Sequence, residues 1–409
     1  MAAPASRLLD VTRLLSRVGQ GPMTGIDRVE FAYLDRLLTE PAGCFALVRT
    51  GLGYILLNGD GARGFFDRLA GLVPWGKPDI WGRLRRLPDM QARAEADLRR
   101  LAFGRCRHGG LAALIARLLP ANPIYLNVGH SLASARTLMA LGRTQKVVML
   151  HDTIPLDHPE FVRDGYGERF SSLLSAVSSH ADRVICTTQS AAVSVSAALT
   201  GLGRCPSVTV APLGVSLMPP ADAQLPDGHD PQRPYFVSIG TLEARKNHAL
   251  LLDVWEDMAA HRPEGGLPVL YIIGRRGWRN EDLFRRLTAS PLYGTVIREL
   301  NAMDDAGANA LLRGARGALY PSLAEGFGLP AAEAALAGTP VICSDLPAFR
   351  EILGDYPVYL PTDDRYRWRK SVQELCERER DAWPAGGRLR TPPSLPDWDG
   401  HFNVVLSTI

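Results

Sequence analysis

Residues 321–333 read Pro-Ser-Leu-Ala-Glu-Gly-Phe-Gly-Leu-Pro-Ala-Ala-Glu, and their order decides the fold. The apolar residues Ala318, Leu319 and Tyr320 just before them read as a buried strand. Two glycines then make a short loop, and Pro330 suits a first helical position, where its missing N–H costs nothing. A strand passing through a glycine loop into a helix is the unit of a parallel α/β sheet. Helix onset near Pro330 puts Glu333 in the first turn and Glu325 in the preceding loop. Both carboxylates then lie beside a helix N-terminus at the carboxyl end of a strand, where open α/β sheets bind ligands. Gly326 and Gly328 let backbone N–H groups approach a ligand, and the helix dipole favours phosphate there. Acids in contact with a phosphate would repel it, so sugar and ribose hydroxyls are their better partners. The alternative is structural: Glu325 caps the helix and Glu333 complements its dipole.

Outward from this stretch, short apolar runs alternate with helical ones. On the C-terminal half, strands are expected at Tyr235–Ile239, Val269–Ile273, Gly317–Tyr320 and Pro340–Cys343. Helices fall between them at His248–Ala260, Glu281–Leu287, Ala306–Arg313 and Ala331–Ala337. A second series precedes it, with strands at Phe45–Arg49, Ile124–Asn127, Val147–Leu150, Arg183–Thr187 and Ser207–Ala211. Residues 219–234, PPADAQLPDGHDPQRP, are turn-rich and aperiodic and read as a linker. The expected fold class is α/β, with two Rossmann-like domains facing across a cleft. Residues 1–218 form the first domain and 235–385 the second, and residues 386–409 are a closing segment that packs back on the first domain.

Bulk properties narrow the function. With 46 Lys and Arg against 43 Asp and Glu, a net charge of +3 gives no argument for nucleic acid. The arginines scattered through the N-terminal apolar positions leave no signal-peptide core, and no apolar run reaches membrane-spanning length. The cysteines Cys44, Cys106, Cys186, Cys205, Cys343 and Cys376 include no C-x-x-C pair and suit a reducing, cytoplasmic location. Between Arg83 and Arg107, eight arginines face only Asp89, Glu95 and Asp97. This region reads either as a solvated helical insertion or as a basic patch for the inner face of a membrane. Asp397-Trp398-Asp399 imitates a metal-binding D-x-D but has no buried strand before it, and reads as surface. No P-loop, H-E-x-x-H or G-x-G-x-x-G with a trailing acid occurs.

The motif E-G-F-G-L-P-A-A-E over Glu325–Glu333 resembles the E-x-seven-E signature of retaining GT-B glycosyltransferases of family four, the glycosyl transferases group 1. Residues 235–247 (YFVSIGTLEARKN), 270–278 (LYIIGRRGW) and 338–352 (GTPVICSDLPAFREI) resemble that family's later strands and basic loop. His151–Pro155 (HDTIP) is similar to its cleft-histidine segment, and Thr24–Arg28 (TGIDR) to the N-terminal loop of its polysaccharide-assembly members. The likeness is weaker between Leu52 and Ala121. It implies a GT-B fold and a nucleotide-diphosphate sugar as donor substrate, with no cofactor and no metal. By this resemblance Glu325 contacts the transferred sugar and Glu333 the ribose. The amides of Gly326, Phe327, Gly328 and Leu329 line the sugar and diphosphate. Gly240 and Thr241 belong to the same lining, and Gly25 reaches it from the first domain. Lys246 neutralises the leaving diphosphate, and His151 touches the sugar.

One departure matters. Thr241 stands where many members carry arginine, so Arg245 is expected to supply the second cation, unless Glu243 holds it. The implied activity is transfer of a hexose, with a lean towards GDP-mannose, to a saccharide or lipid-linked acceptor in surface polysaccharide assembly. The competing readings are a silent sugar-nucleotide-binding subunit and a GT-B epimerase.

Overall fold

The computed structural model describes residues 5–120, 122–217, 224–261, 266–377 and 393–409. Residues 219–223 of the expected linker and 386–392 of the closing segment lie outside the described residues.

The first domain is built on an eight-stranded sheet in the order β4-β3-β2-β1-β5-β6-β7-β8. Its strands are β1 (Arg7–Asp10), β2 (Cys44–Thr50), β3 (Gly53–Leu57), β4 (Gly104–Cys106), β5 (Ile124–Asn127), β6 (Gln145–Leu150), β7 (Arg183–Cys186) and β8 (Ser207–Val210). The second has six strands in the order β11-β10-β9-β12-β13-β14, all parallel. These are β9 (Tyr235–Ile239), β10 (Val269–Ile273), β11 (Ile297–Leu300), β12 (Gly317–Tyr320), β13 (Val341–Ser344) and β14 (Val358–Leu360). Helices cover both faces, so the inner strands are apolar throughout: every residue of β10 (Val-Leu-Tyr-Ile-Ile) is buried. Strand order reverses between β1 and β5 in one sheet and between β9 and β12 in the other, opening a crevice at each reversal.

The expected helices and strands appear with ends moved by a residue or two. The sheet edges differ more. β2, β3 and β4 are antiparallel, joined at the β2–β3 end by Gly51 and Leu52. β3 and β4 lie in the stretch from Leu52 to Ala121, where the family likeness is weaker. The closing helix Trp398–Ser407 rests on the first domain, with Tyr33 Oη 2.9 Å from His401 Nε2. Asp397 caps that helix through the Gly400 N–H, and Asp399 pairs with Arg36.

Half of the arginines from Arg83 to Arg107 are paired with acids. Arg85 and Arg99 both bind Glu95, Arg99 also binds Asp79, Arg100 binds Asp97, and Arg93 binds Asp89. Arg85 with Glu95, and Arg99 with Asp79, clamp the short helix Ile80–Leu84 to the helix Asp89–Arg100, while Arg93 and Arg100 pair within the latter.

At the β1–β5 crevice two carboxyls are fully buried. Asp10 accepts from Thr12 N–H at 3.0 Å, Asn127 Nδ2 at 2.7 Å and Tyr125 Oη at 3.3 Å. Glu30 accepts from Leu14 N–H through one oxygen, while its Oε2 has no partner among the described residues. Burial pushes Asp10 up to about 6, and burial together with Asp10 pushes Glu30 well above the usual range. The folded chain thus keeps protons that the unfolded chain releases near pH 4. Stability from these groups is present on the acid side and lost as pH rises through the folded values. Glu30→Gln is expected to raise the thermal midpoint by a few degrees at pH 8 and to flatten its decline between pH 5 and 8. An unchanged pH slope in the variant would show that Glu30 is ionised in the folded state.

Candidate active site

Both loops expected to carry the chemistry leave the second sheet at its reversal, from the carboxyl ends of β9 and β12. They are stitched together by Leu323 N–H donating to the Arg245 carbonyl at 2.7 Å. Glu325 lies between them. Lys246 Nζ donates to its Oε1, as does Ser322 Oγ at 2.8 Å, and Arg245 Nη1 donates to Oε2 at 3.0 Å. Burial alone would push this carboxyl up, but Lys246 and Arg245 outweigh it and hold Glu325 at about 2. Burial lowers the Lys246 ammonium, with Glu325 opposing.

Arg245 does pair with Glu243, at 2.9 Å, yet it binds Glu325 at the same time and faces the cleft. Gly240 sits beside the Lys246 stem, and a Cβ there would lie 3.7 Å from Lys246 Cε. Thr241 is half-buried on the same loop, where its backbone N–H approaches Gly274. Gly328 caps the helix Leu329–Leu336 with φ 85°, Leu329 opens that helix, and Phe327 is buried beneath the loop. Because the helix starts at Leu329, Glu333 begins its second turn, which corrects the expected first-turn position.

Glu333 is not with Glu325. It faces the first domain, where Arg28 Nη2 lies 2.5 Å from its Oε1. Burial raises the Glu333 carboxyl, and Arg28 is the main charge opposing that rise. Arg28 ends the TGIDR stretch, and no motif there assigns it a role. It lies one helical turn after Gly25, the first residue of the helix Gly25–Thr39, and that spacing was the available signal. A Cβ on Gly25 would meet no atom within 4 Å, so this helix start is open.

His151 follows β6, and its Nε2 lies 2.8 Å from the Val128 carbonyl. Burial lowers its pKa to about 4, so the imidazole is neutral and one nitrogen is already engaged. His130 lies beside it with its ring tilted by 52° and the centroids 5.3 Å apart. Asp152 turns away to accept from Ile154 N–H at 3.0 Å.

The domains meet directly over Glu325. Thr188 Oγ1 donates to the Gly326 carbonyl at 3.1 Å. The N–H groups of Gln189 and Ser190, at the start of the helix Gln189–Gly201, donate to the Glu351 carboxylate at 2.5 and 3.1 Å. Trp278 Nε1 donates to the Phe161 carbonyl at 2.9 Å, and Arg275 to that of Gln20. These contacts describe a closed cleft.

Residues 225–382 match the family model described as glycosyl transferases group 1. That match covers the second domain and part of the expected linker. Relatives of the chain include the serotype-specific mannosyltransferase WbdA of Escherichia coli, 32% identical over 254 residues, which are 58% of this chain and 30% of WbdA. The O-antigen chain mannosyltransferase RfbU of Salmonella typhimurium is 41% identical over 150 residues, 34% of this chain and 38% of RfbU. The chain therefore spans about a third of the length of these relatives. HepE of Anabaena, crystallised with UDP-glucose, superposes with a TM-score of 0.61 at 14% identity, over 99% of this chain and 100% of HepE. The fold is GT-B.

Closure explains Gly326. A Cβ on it would lie 2.8 Å from both Asp152 Oδ2 and the His151 carbonyl, closer than real Cβ atoms approach. Gly326→Val is expected to hold the domains apart while each stays folded. Solution scattering should give a larger radius of gyration with a retained thermal transition. An unchanged radius would show that the closed cleft admits a side chain there.

Proposed function

We propose that the chain is a retaining glycosyltransferase that moves a hexose from a nucleotide-diphosphate sugar, with GDP-mannose the first donor to test. The acceptor is a saccharide or lipid-linked saccharide of surface polysaccharide assembly. The observation that carries this reading is the buried Glu325 held by Lys246, Arg245 and Ser322 beside the Gly326–Leu329 amides, at the reversal point of a parallel sheet. The relatives named as mannosyltransferases support the choice of sugar.

Cleaving the anomeric C–O bond expels a diphosphate whose charge grows in the transition state. Fixed cations in a water-poor cleft stabilise that charge where it develops. Lys246 and Arg245 are such cations, and Glu325 and Glu243 neutralise them between them. A diphosphate entering beside the helix N-terminus draws them from Glu325, which leaves that carboxylate to accept bonds from sugar hydroxyls. Glu325, paired with two cations, is a poor nucleophile. This favours transfer on the face the leaving group vacates, with a leaving phosphate oxygen taking the acceptor proton. Glu333 binds the ribose hydroxyls, with Arg28 holding its other side. His151, neutral and tied to the Val128 carbonyl, is oriented to meet the sugar.

Thermal-shift screening against GDP-mannose, UDP-glucose and UDP-N-acetylglucosamine tests the donor. The preferred one at a hundred times its Kd stabilises by about 2.7 kcal/mol. Glu333→Ala is expected to weaken nucleoside diphosphate binding roughly tenfold or more, the worth of a hydrogen bond to a charged group. Lys246→Ala and Glu325→Ala should mainly lower kcat, because their contacts strengthen as the bond breaks. Full transferase activity in all three variants would refute the site.

A further inference from the structure

The insertion between β3 and β4 buries Phe65 and Leu98 in the core, together with several of its charges. Asp79 binds Arg99 at 2.6 Å, and buried Glu95 and Asp97 bind Arg85, Arg68 and Arg100. Four of its large apolar side chains are instead turned outward. Leu72 is 71% exposed, Leu84 68%, Ile80 65% and Trp81 50%. Leu72 and Leu84 are the two most exposed large hydrophobic residues among those described.

Sequence and packing together fix this orientation. Asp79 caps the helix Ile80–Leu84 through the Gly82 N–H at 3.0 Å. Gly82 is the residue that faces inward, so close to the helix beneath that a Cβ on it would lie 2.8 Å from Ala92 Cβ. With glycine inside, Ile80, Trp81 and Leu84 share the outer side, one turn apart. Burying these three would gain roughly 1.5–3 kcal/mol each, yet the fold leaves them in water. Around them stand the exposed Lys77, Arg83 and Arg86. The acids of the same segment are spent: Asp79 on Arg99 and Asp89 on Arg93.

We propose that this face, Ile80, Trp81 and Leu84 beside Lys77, Arg83 and Arg86, seats the protein on an anionic lipid bilayer. A short apolar helix with tryptophan and an unopposed basic rim has the chemistry of an interfacial anchor that lies in the headgroup layer without spanning it. The charge is complementary to acidic headgroups, and the tryptophan ring suits the boundary between headgroups and acyl chains. No described helix is long and apolar enough to cross a membrane.

The position of this face gives it a use. The helix Asp89–Arg100 carries the insertion against the loop at residues 16–21, with Gln91 Nε2 donating to the Ser16 carbonyl at 2.9 Å and Met90 against Gly19. The same loop receives Arg275 from the second domain through the Gln20 carbonyl. The anchor is thereby one helix away from the lip of the cleft, and a saccharide carried on a lipid would be presented there. Bilayer binding itself does not depend on the identity of the donor or on turnover.

Vesicle flotation with the full chain tests the proposal, using phosphatidylcholine vesicles with and without phosphatidylglycerol. The parent is expected to float with anionic vesicles at low salt and to be released as salt rises. Replacing Ile80, Trp81 and Leu84 together by Ser should abolish flotation. Replacing Lys77, Arg83 and Arg86 by Gln should weaken it about fivefold per residue. Both variants should keep the parent's thermal midpoint and its nucleotide-induced shift, which separates failure of the anchor from failure of the donor site. The proposal falls if the parent ignores anionic vesicles at low salt, if either triple variant floats like the parent, or if neutral vesicles bind equally well. It also falls if the parent is a dimer that the Ser variant makes monomeric, since the face would then be a contact between copies.

Discussion

A carboxylate taken out of water must be neutralised where it stands, and the neutralisation of Glu325 organises this molecule. Lys246 and Arg245 reach it from the loop after β9, and Ser322 from the loop after β12. Removing either cation would leave charge uncompensated in a buried place, which costs several kcal/mol. The two loops are therefore bound to each other, and their positions relative to the helix Leu329–Leu336 follow. In the proposed reaction the same ion cluster is the source of positive charge for the diphosphate, so stability and donor binding would draw on the same side chains.

Closure rests on a different kind of contact. Besides the ion pairs Arg28–Glu333 and Arg279–Asp164, Arg163 over the Trp278 ring, and Glu351 on the start of the helix Gln189–Gly201, side chains of one domain bond the backbone of the other: Thr188 with Gly326, Trp278 with Phe161, Arg275 with Gln20. The contact at Gly326 demands a small residue and close approach. Such interfaces permit opening. Glu333 is the point where closure and binding interfere, because its carboxylate serves Arg28 across the cleft and is also the group assigned to the ribose.

The parallel sheets were legible because their inner strands are buried on both faces and read as unbroken apolar runs, as in Val269–Ile273. The edges were not. β4, β11 and β14 are three or four residues long and partly exposed, so no periodicity marks them. The insertion at 59–101 was only partly legible for a physical reason: an arginine count reports charge but not direction. Half of the eight arginines from Arg83 to Arg107 were already matched to acids by the fold, and the informative residues were the apolar ones between them.

The site divides along the same line. The spacing of Glu325, Gly326, Gly328, Pro330 and Glu333 on one loop and helix start follows from local chain geometry, so the sequence alone determined that these groups share the end of one strand. It also supplied Lys246 and Arg245 as the cations of the neighbouring loop. It did not determine that Arg245 would serve both Glu243 and Glu325, that Arg28 would face Glu333, or that Glu351 would cap a helix of the other domain. Those pairs join residues far apart in the chain, and their partners are chosen by how the two sheets are set against each other. Nothing in local propensity or spacing encodes that choice; it is made by tertiary packing, where each buried charge must find its counterpart.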